Sequence, residues 1–82
     1  MMAKILFFSL LRDVVGADEL DWQVPAEGML IGDLLEQLYL KWPRLREWDT
    51  KILVAVDLEY VGRDVMVSAG QEVAVMPPVQ GG

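Results

Sequence analysis

The segment LIGDLLEQLYLKW, residues 30–42, decides the fold because its apolar residues follow the period of a helix. They recur at i, i+3, i+4, i+7 and i+11, and the face that they form carries Ile31, Leu34, Leu35, Leu38 and Trp42. Pro43 disfavours helical backbone at the residue before it and therefore ends the run. The segment predicts one amphipathic helix whose apolar face packs on the rest of the domain.

Short segments on both sides of this helix have the composition or the alternation of β-strands. The predicted strands are residues 3–10, 18–24, 52–56, 60–61 and 72–76. The predicted turns and connections are residues 12–16, 44–50, 57–59 and 62–70. This order predicts an α+β fold of the β-grasp type, in which one mixed sheet packs on one main helix. The first and last strands should be parallel neighbours in the middle of the sheet.

The composition argues against several classes of function. The chain has 82 residues, 54% of them apolar, which suits one domain with one core. Its net charge of −6 disfavours binding to a nucleic-acid backbone. Without Cys or His it lacks a thiolate, an imidazole base and the usual zinc ligands, so we expect no catalysis by side chains and no metal site. No apolar stretch approaches the roughly 20 residues of a membrane-spanning helix, and we expect a cytoplasmic protein.

The last six residues, Pro77-Pro78-Val79-Gln80-Gly81-Gly82, differ from the rest of the chain. Prolines cannot donate to a sheet ladder and favour extended backbone, so we predict a domain of residues 1–76 followed by a projecting tail of residues 77–82. Six extended residues span at most about 20 Å, enough to reach into a pocket of another protein. Gly81 and Gly82 lack a Cβ and could pass through a narrow tunnel.

The terminal carboxylate of such a tail reacts with nucleophiles only after activation, because its charge and resonance discourage attack. ATP could supply the activation by forming an acyl adenylate with a good leaving group. A sulfur nucleophile could then leave a thiocarboxylate on Gly82, which would make a chain without cysteine a sulfur donor. The alternative is that the two terminal glycines are a frayed end without function.

Several motifs together resemble the small subunit of molybdopterin synthase over essentially the whole chain. They are Lys4-Ile5-Leu6-Phe7-Phe8, Gly32-Asp33-Leu34-Leu35, Val54-Ala55-Val56-Asp57 with Glu59-Tyr60-Val61, Gly70-Gln71-Glu72-Val73-Ala74 and the terminal Pro-Pro-Val-Gln-Gly-Gly. The resemblance implies a ubiquitin-like β-grasp fold. It also implies that Gly82 is adenylated by an ATP-using enzyme related to ubiquitin activators and then thiocarboxylated with sulfur from a donor protein, Gly81 being the slender approach to it.

The same resemblance implies the acceptor of the sulfur. The tail would enter the large synthase subunit and donate sulfur to cyclic pyranopterin monophosphate, forming the dithiolene of molybdopterin. The chain itself would bind no cofactor. Three positions depart from the family pattern: Asp57 stands where an Asn is frequent, Gln71 where an Asp usually follows the glycine, and Leu30 where a Thr or Ser would cap the helix. A missing cap lowers helix stability by roughly 1 kcal/mol.

The alternation of side chains along three strands predicts an apolar outer face on the sheet. If Lys4, Lys51 and Glu72 face water, the residues at even spacings from them face the same way, Ala55 and Ala74 included. The predicted partner-binding residues are Leu6, Phe8, Leu53, Met76, Pro77, Pro78, Val79 and Gln80, to which the family resemblance adds Arg12. Loops that cover the face, or a bulge that shifts the alternation, would remove this surface.

Two other groups of residues have plain structural interpretations. We expect the three tryptophans to pack in or beside the core rather than around a ligand. The acidic Asp18, Glu19 and Asp21 lack the spacing of a metal site and should form a solvated strand edge, whose charge could steer a basic partner.

Three functions therefore remain open from the sequence. The first is the sulfur carrier of molybdopterin synthase. The second is a carrier for thiamin or tRNA thiolation, or a modifier attached to lysines, in the same fold. The third is a non-catalytic β-grasp interaction module whose tail is incidental. The identity of the protein that co-purifies, and the effect of removing the terminal glycines, would separate them.

Overall fold

A five-stranded mixed sheet forms the body of the molecule in the computed structural model, which describes residues 1–78. In chain order the elements are β1 (Met2–Phe7), α1 (Leu10–Val15), β2 (Glu19–Gln23), β3 (Met29–Leu30), α2 (Ile31–Lys41), a 3-10 helix (Pro43–Trp48), β4 (Leu53–Val56), β5 (Glu59–Val61), β6 (Met66–Val67) and β7 (Glu72–Met76). The sheet order is β2-β1-β7-β4-β5, and β3 pairs with β6 in a separate ribbon. β1 and β7 are parallel, as predicted, and the fold is the β-grasp.

The core lies between the sheet and one face of α2. Ile5 and Phe7 of β1 and Val73 and Val75 of β7 point toward the helix and are buried. Tyr39 of the helix is buried, and Trp42, just after the helix, is partly buried against the core. The helix contributes four of the five residues that its period predicts, the buried aliphatic Ile31, Leu34, Leu35 and Leu38. Each such aliphatic side chain stabilises the fold by roughly 1.5–3 kcal/mol on burial. The predicted amphipathic helix is confirmed, with its bounds one residue shorter at each end.

The segment after β1 differs from the prediction. The strand ends at Phe7 rather than at residue 10, and Ser9 takes a positive φ of 57° that turns the chain away from the sheet. The residues predicted as a turn form the short helix α1, because the fully buried side chain of Leu11 packs into the core. The helix ends at Gly16, whose φ of 84° lets its N–H donate to the carbonyl oxygen of Arg12 at 2.7 Å.

The start of α2 lacks a side-chain cap, as the sequence predicts, but backbone hydrogen bonds from another segment take its place. Leu30 makes no side-chain cap, as its apolar side chain requires. The N–H groups of Ile31 and Gly32 instead donate to the carbonyl oxygens of Val65 and Arg63, both at 2.9 Å. The connection over residues 62–70 supplies these acceptors, and it contains the unpredicted strand β6. A neighbouring segment therefore satisfies two of the helix's free donors.

Another unpredicted element follows α2, where the sequence predicts a turn over residues 44–50. Most of that segment belongs to the 3-10 helix, which the buried side chain of Leu45 anchors in the core. Asp49, just after it, accepts hydrogen bonds from the Tyr39 hydroxyl at 2.6 Å and from Arg63 Nη1 at 2.7 Å. These contacts tie α2, the 3-10 helix and the connection before β6 together. They lower the pKa of the Asp49 carboxyl, chiefly through the Tyr39 bond and then the Arg63 bond.

Candidate functional site

The face of the sheet turned away from α2, which we call the outer face, is apolar across four strands. The register pairs Leu6 with Ala74, Ala74 with Ala55, and Ala55 with Tyr60, so these side chains form one row over β1, β7, β4 and β5. Leu53 lies opposite Met76 in the antiparallel pair of β4 and β7, and directly opposed residues share a face. The alternation read from the sequence is therefore correct in all three strands.

The middle of this row forms an apolar hollow, which we call the sheet hollow. Its floor is Ala55 and Ala74, two small residues between the larger Leu6 and Tyr60. Phe8 and Met76 close one end of the sheet hollow, Leu58 and Glu72 the other, and its volume is about 220 Å³. Phe8 is 45% exposed and Tyr60 69% exposed, so the outer face reaches solvent and is not covered by loops of the described residues.

Sequence reasoning missed two members of this surface. Tyr60 lies on a three-residue strand whose alternation cannot be read in isolation, although its pairing with Ala55 turns it outward. Leu58 lies in the turn between β4 and β5 and is 93% exposed. The only sequence signal for Leu58 is that a large apolar residue stands in a predicted turn between two strands.

The turn that carries Leu58 is held in place by hydrogen bonds. Asp57 Oδ1 accepts from the backbone N–H of Glu72 at 3.0 Å, and Asp57 Oδ2 accepts from Gln71 Nε2 at 3.1 Å. The oxygen of the Gln71 amide in turn accepts from the N–H of Ser68 at 2.8 Å. The two turn positions at which the chain departs from the family pattern are thus hydrogen-bonded to each other, and together they brace the outer face.

The β2 side of the outer face carries charged residues in pairs. Lys4 Nζ lies 3.2 Å from Glu19 Oε2, and Arg12 Nε lies 3.5 Å from Asp18 Oδ1. The hydrogen bond to Glu19 raises the pKa of Lys4 above its ordinary value. Arg12 is half exposed and lines a shallow groove with Phe8, which places the predicted contact beside the predicted face. The acidic strand edge, Asp21 included, is exposed as expected.

The chain leaves the sheet from its middle strand. β7 ends at Met76, at the edge of the sheet hollow, and Pro77 and Pro78 follow outside any strand and are half buried. Val79, Gln80, Gly81 and Gly82 lie outside the described residues, so what the sequence predicts for them stays a prediction. The described part of the chain places the start of the predicted tail next to the outer face.

Residues 1–78 contain neither a metal-binding cluster nor a membrane-spanning helix. No group of three or more acidic side chains there could hold a metal ion. Within the same range, no helix is long and apolar enough to cross a membrane. The tryptophans have the expected structural role, since Trp22, Trp42 and Trp48 all pack against the core.

Comparisons with known proteins agree with this geometry. The chain matches the model of the ThiS family over residues 5–82. It is 36% identical to the molybdopterin synthase sulfur carrier subunit of Escherichia coli (strain K12), over 99% of this chain and 100% of that protein. It is 31% identical to the protein of the same name from Dictyostelium discoideum, over 96% and 94%. Small archaeal modifier protein 1 from Haloferax volcanii has the same fold, with a TM-score of 0.81, 28% identity and all of both chains covered. The chain therefore belongs to the ThiS family.

Proposed function

We propose that this chain is the sulfur-carrier small subunit of molybdopterin synthase. The observation that carries the proposal is that the middle strand β7 runs along the apolar outer face and leads at Met76 directly into Pro77 and Pro78. A docking surface and the start of a tail are thereby joined in one strand. The names and nearly complete overlap of the relatives from Escherichia coli and Dictyostelium discoideum support the same function.

The chemistry takes place at the carboxylate of Gly82. One of its oxygens attacks the α-phosphorus of ATP in an activating enzyme related to ubiquitin activators, and pyrophosphate leaves. A sulfur nucleophile at the oxidation level of sulfide, delivered by a donor protein, then attacks the carbonyl carbon, and AMP leaves. The thiocarboxylate that remains donates its single sulfur to cyclic pyranopterin monophosphate, and hydrolysis returns the carrier to a carboxylate. Two carriers used in turn thus supply the two sulfurs of the molybdopterin dithiolene. Because activation consumes ATP, we place the reaction in the cytoplasm.

The described residues supply binding rather than catalysis in this scheme. Leu6, Phe8, Leu53 and Met76 dock on the large subunit, with Arg12 at the edge of the contact. Apolar contact of this kind excludes water and fixes the body of the carrier, so that the tail is held within reach of the partner's active site. Pro77 and Pro78 limit the freedom of the tail before Val79, Gln80 and Gly81 lead to the reactive end.

Mass spectrometry tests the carrier chemistry. We expect the chain, incubated with its activating enzyme, ATP and a sulfide source, to gain about 16 Da, the exchange of one oxygen for sulfur. The gain should map to Gly82 and should be absent when ATP is omitted. A chain that lacks Gly82 should keep its thermal unfolding midpoint and lose sulfur donation, since the core of the described residues ends at Val75. Sulfur donation by that truncated chain would contradict the proposal.

A protein modifier is the second candidate, favoured by the likeness to small archaeal modifier protein 1 over all of both chains. The same adenylated Gly82 would then be attacked by a lysine amine rather than by sulfur. Expression in the native host separates the two functions. Higher-mass conjugates on a denaturing gel indicate a modifier, whereas co-purification of the large synthase subunit indicates the sulfur carrier. A thiamin or tRNA thiolation partner in the same pull-down would indicate those pathways.

A further inference from the structure

Leu58 combines two properties that protein stability does not explain. Its side chain is 93% exposed, so it buries almost no apolar surface. Its backbone φ is 72°, in the left-handed region that a residue with a Cβ occupies at an energetic cost. Asp57 before it also has a positive φ, of 48°, and two-residue hairpin turns of this type favour Asn or Asp followed by Gly. The first position obeys that preference and the second does not.

The surroundings fix where this leucine points. The Asp57 carboxylate is bonded to Glu72 N–H and to Gln71, so the turn is tied to the start of β7. The Leu58 side chain consequently stands at one end of the sheet hollow, across from Phe8 and Met76. The strained backbone of Leu58 and its exposed apolar side chain at the edge of the sheet hollow are features expected of a residue that contacts a partner protein.

We propose that the sheet hollow is a socket for one bulky apolar side chain of the molybdopterin synthase large subunit, and that Leu58 forms one of its walls. This inference rests on the function proposed above. The floor of the socket is made of alanines, whereas the residues around it are large. Its volume of about 220 Å³ is below the usual size of small-molecule sites, roughly 300–1,000 Å³, and suits a single side chain. Central apolar anchors in pockets of this kind dominate the energies of protein interfaces.

The charges near Leu58 indicate what flanks that anchor. Asp57 adjoins it in the chain, and Glu72 lines the same end of the sheet hollow. Within residues 1–78 neither of these two carboxylates forms a salt bridge, whereas Glu19, on the β2 side of the outer face, is paired with Lys4. Complementary charge in the partner would therefore be Lys or Arg beside the inserted apolar side chain.

Matched alanine variants test the role of Leu58. Leu40 is the control, because it is 80% exposed on α2, on the other side of the molecule from the outer face. We expect Leu58→Ala to weaken binding of the purified large subunit about tenfold in titration calorimetry, and Leu40→Ala to leave the Kd unchanged. Leu58→Gly should weaken binding at least as much while its thermal unfolding midpoint stays the same or rises, since glycine relieves the positive φ.

Filling the socket gives an independent test. Ala74→Leu adds a side chain that projects into the sheet hollow rather than into the core, so the fold should persist and binding should fall about tenfold or more. If wild-type protein binds the large subunit and the Leu58 variants bind equally well, the socket is wrong while the proposed function stands. If wild-type protein shows no binding to the large subunit, the proposed function fails and the socket fails with it.

Discussion

The two faces of the sheet are both apolar, yet only one of them is covered. On the inner face Ile5, Phe7 and Val73 are at most 2% exposed, because α2 packs on them. On the outer face Phe8 and Tyr60 remain 45% and 69% exposed. The same strands thus carry a surface that stabilises the fold and a surface whose apolar area is still available to a partner. Substitutions on the two faces should therefore affect different measurements.

The adjacent phenylalanines Phe7 and Phe8 give the largest expected contrast between the faces. Phe7 is 2% exposed and its ring packs edge-on against Trp42 at 6.1 Å between centroids. Phe7→Ala should lower the free energy of unfolding by about 3–5 kcal/mol, the usual cost of emptying a buried aromatic site. Phe8→Ala should lower it by less than about 1 kcal/mol and should weaken binding of the large subunit. Chemical denaturation and titration calorimetry measure the two effects.

Two outcomes for the Phe7 and Phe8 variants would contradict the expected difference between the two faces. Equal losses of unfolding free energy in the two variants would mean that Phe8 belongs to the core. A Phe8→Ala variant with unchanged affinity for the large subunit would mean that the outer face is not the docking surface. Leu40→Ala serves again as the control, because it removes exposed apolar surface away from both faces.

The sheet and its main helix could be predicted because long, periodic segments record which side is buried. Ile5 and Phe7 alternate with outward residues, and Leu34 and Leu38 recur at the helical spacing. The helix α1 and the ribbon of β3 and β6 could not be predicted in this way. Two-residue strands are too short for a period, and α1 depends on the tertiary burial of Leu11.

The residues of the candidate site can likewise be divided into those that a local sequence pattern predicts and those that it does not. Alternation alone places Leu6, Phe8, Leu53 and Met76 on one face, and the register together with the lining of the sheet hollow confirms their common side. Leu58 was not predicted as a contact residue, because its position depends on a hairpin turn and on hydrogen bonds to a distant loop. Contacts between segments far apart in the sequence leave no local pattern.

An intermediate effect on stability is expected at Asp57, whose hydrogen bonds hold the turn at one end of the outer face. Asp57→Ala removes the acceptors of two hydrogen bonds and places alanine at a φ of 48°, so the free energy of unfolding should fall by about 1–2 kcal/mol. Asp57→Asn keeps one acceptor oxygen and tolerates the left-handed region. It should change stability by less than about 0.5 kcal/mol. Equal losses in both variants would show that the charge, rather than the geometry of the turn, holds this end.

The smallest expected effect on stability is at Asp49, on the α2 side of the molecule, and it depends on pH. Hydrogen bonds from Tyr39 and Arg63 hold the pKa of Asp49 below its ordinary value, so this group stabilises the folded state above the unfolded pKa of about 4. That contribution is lost as the pH falls through the lower pKa of the folded state. Because the Asp49 side chain is 35% exposed, we expect Asp49→Asn to lower the free energy of unfolding at pH 7 by less than about 1 kcal/mol.

The difference in the free energy of unfolding between wild type and Asp49→Asn should then become smaller as the pH is lowered below about 4, because wild-type Asp49 becomes neutral as well. Urea denaturation of both proteins between pH 7 and pH 2.5, a range chosen to span roughly this titration, measures it. A difference that stayed constant over this range would show that the Asp49 carboxylate acts through shape rather than charge. Binding of the large subunit at pH 7 should be equal for the two proteins, since Asp49 bonds to the α2 side of the molecule and its charge does not reach the outer face.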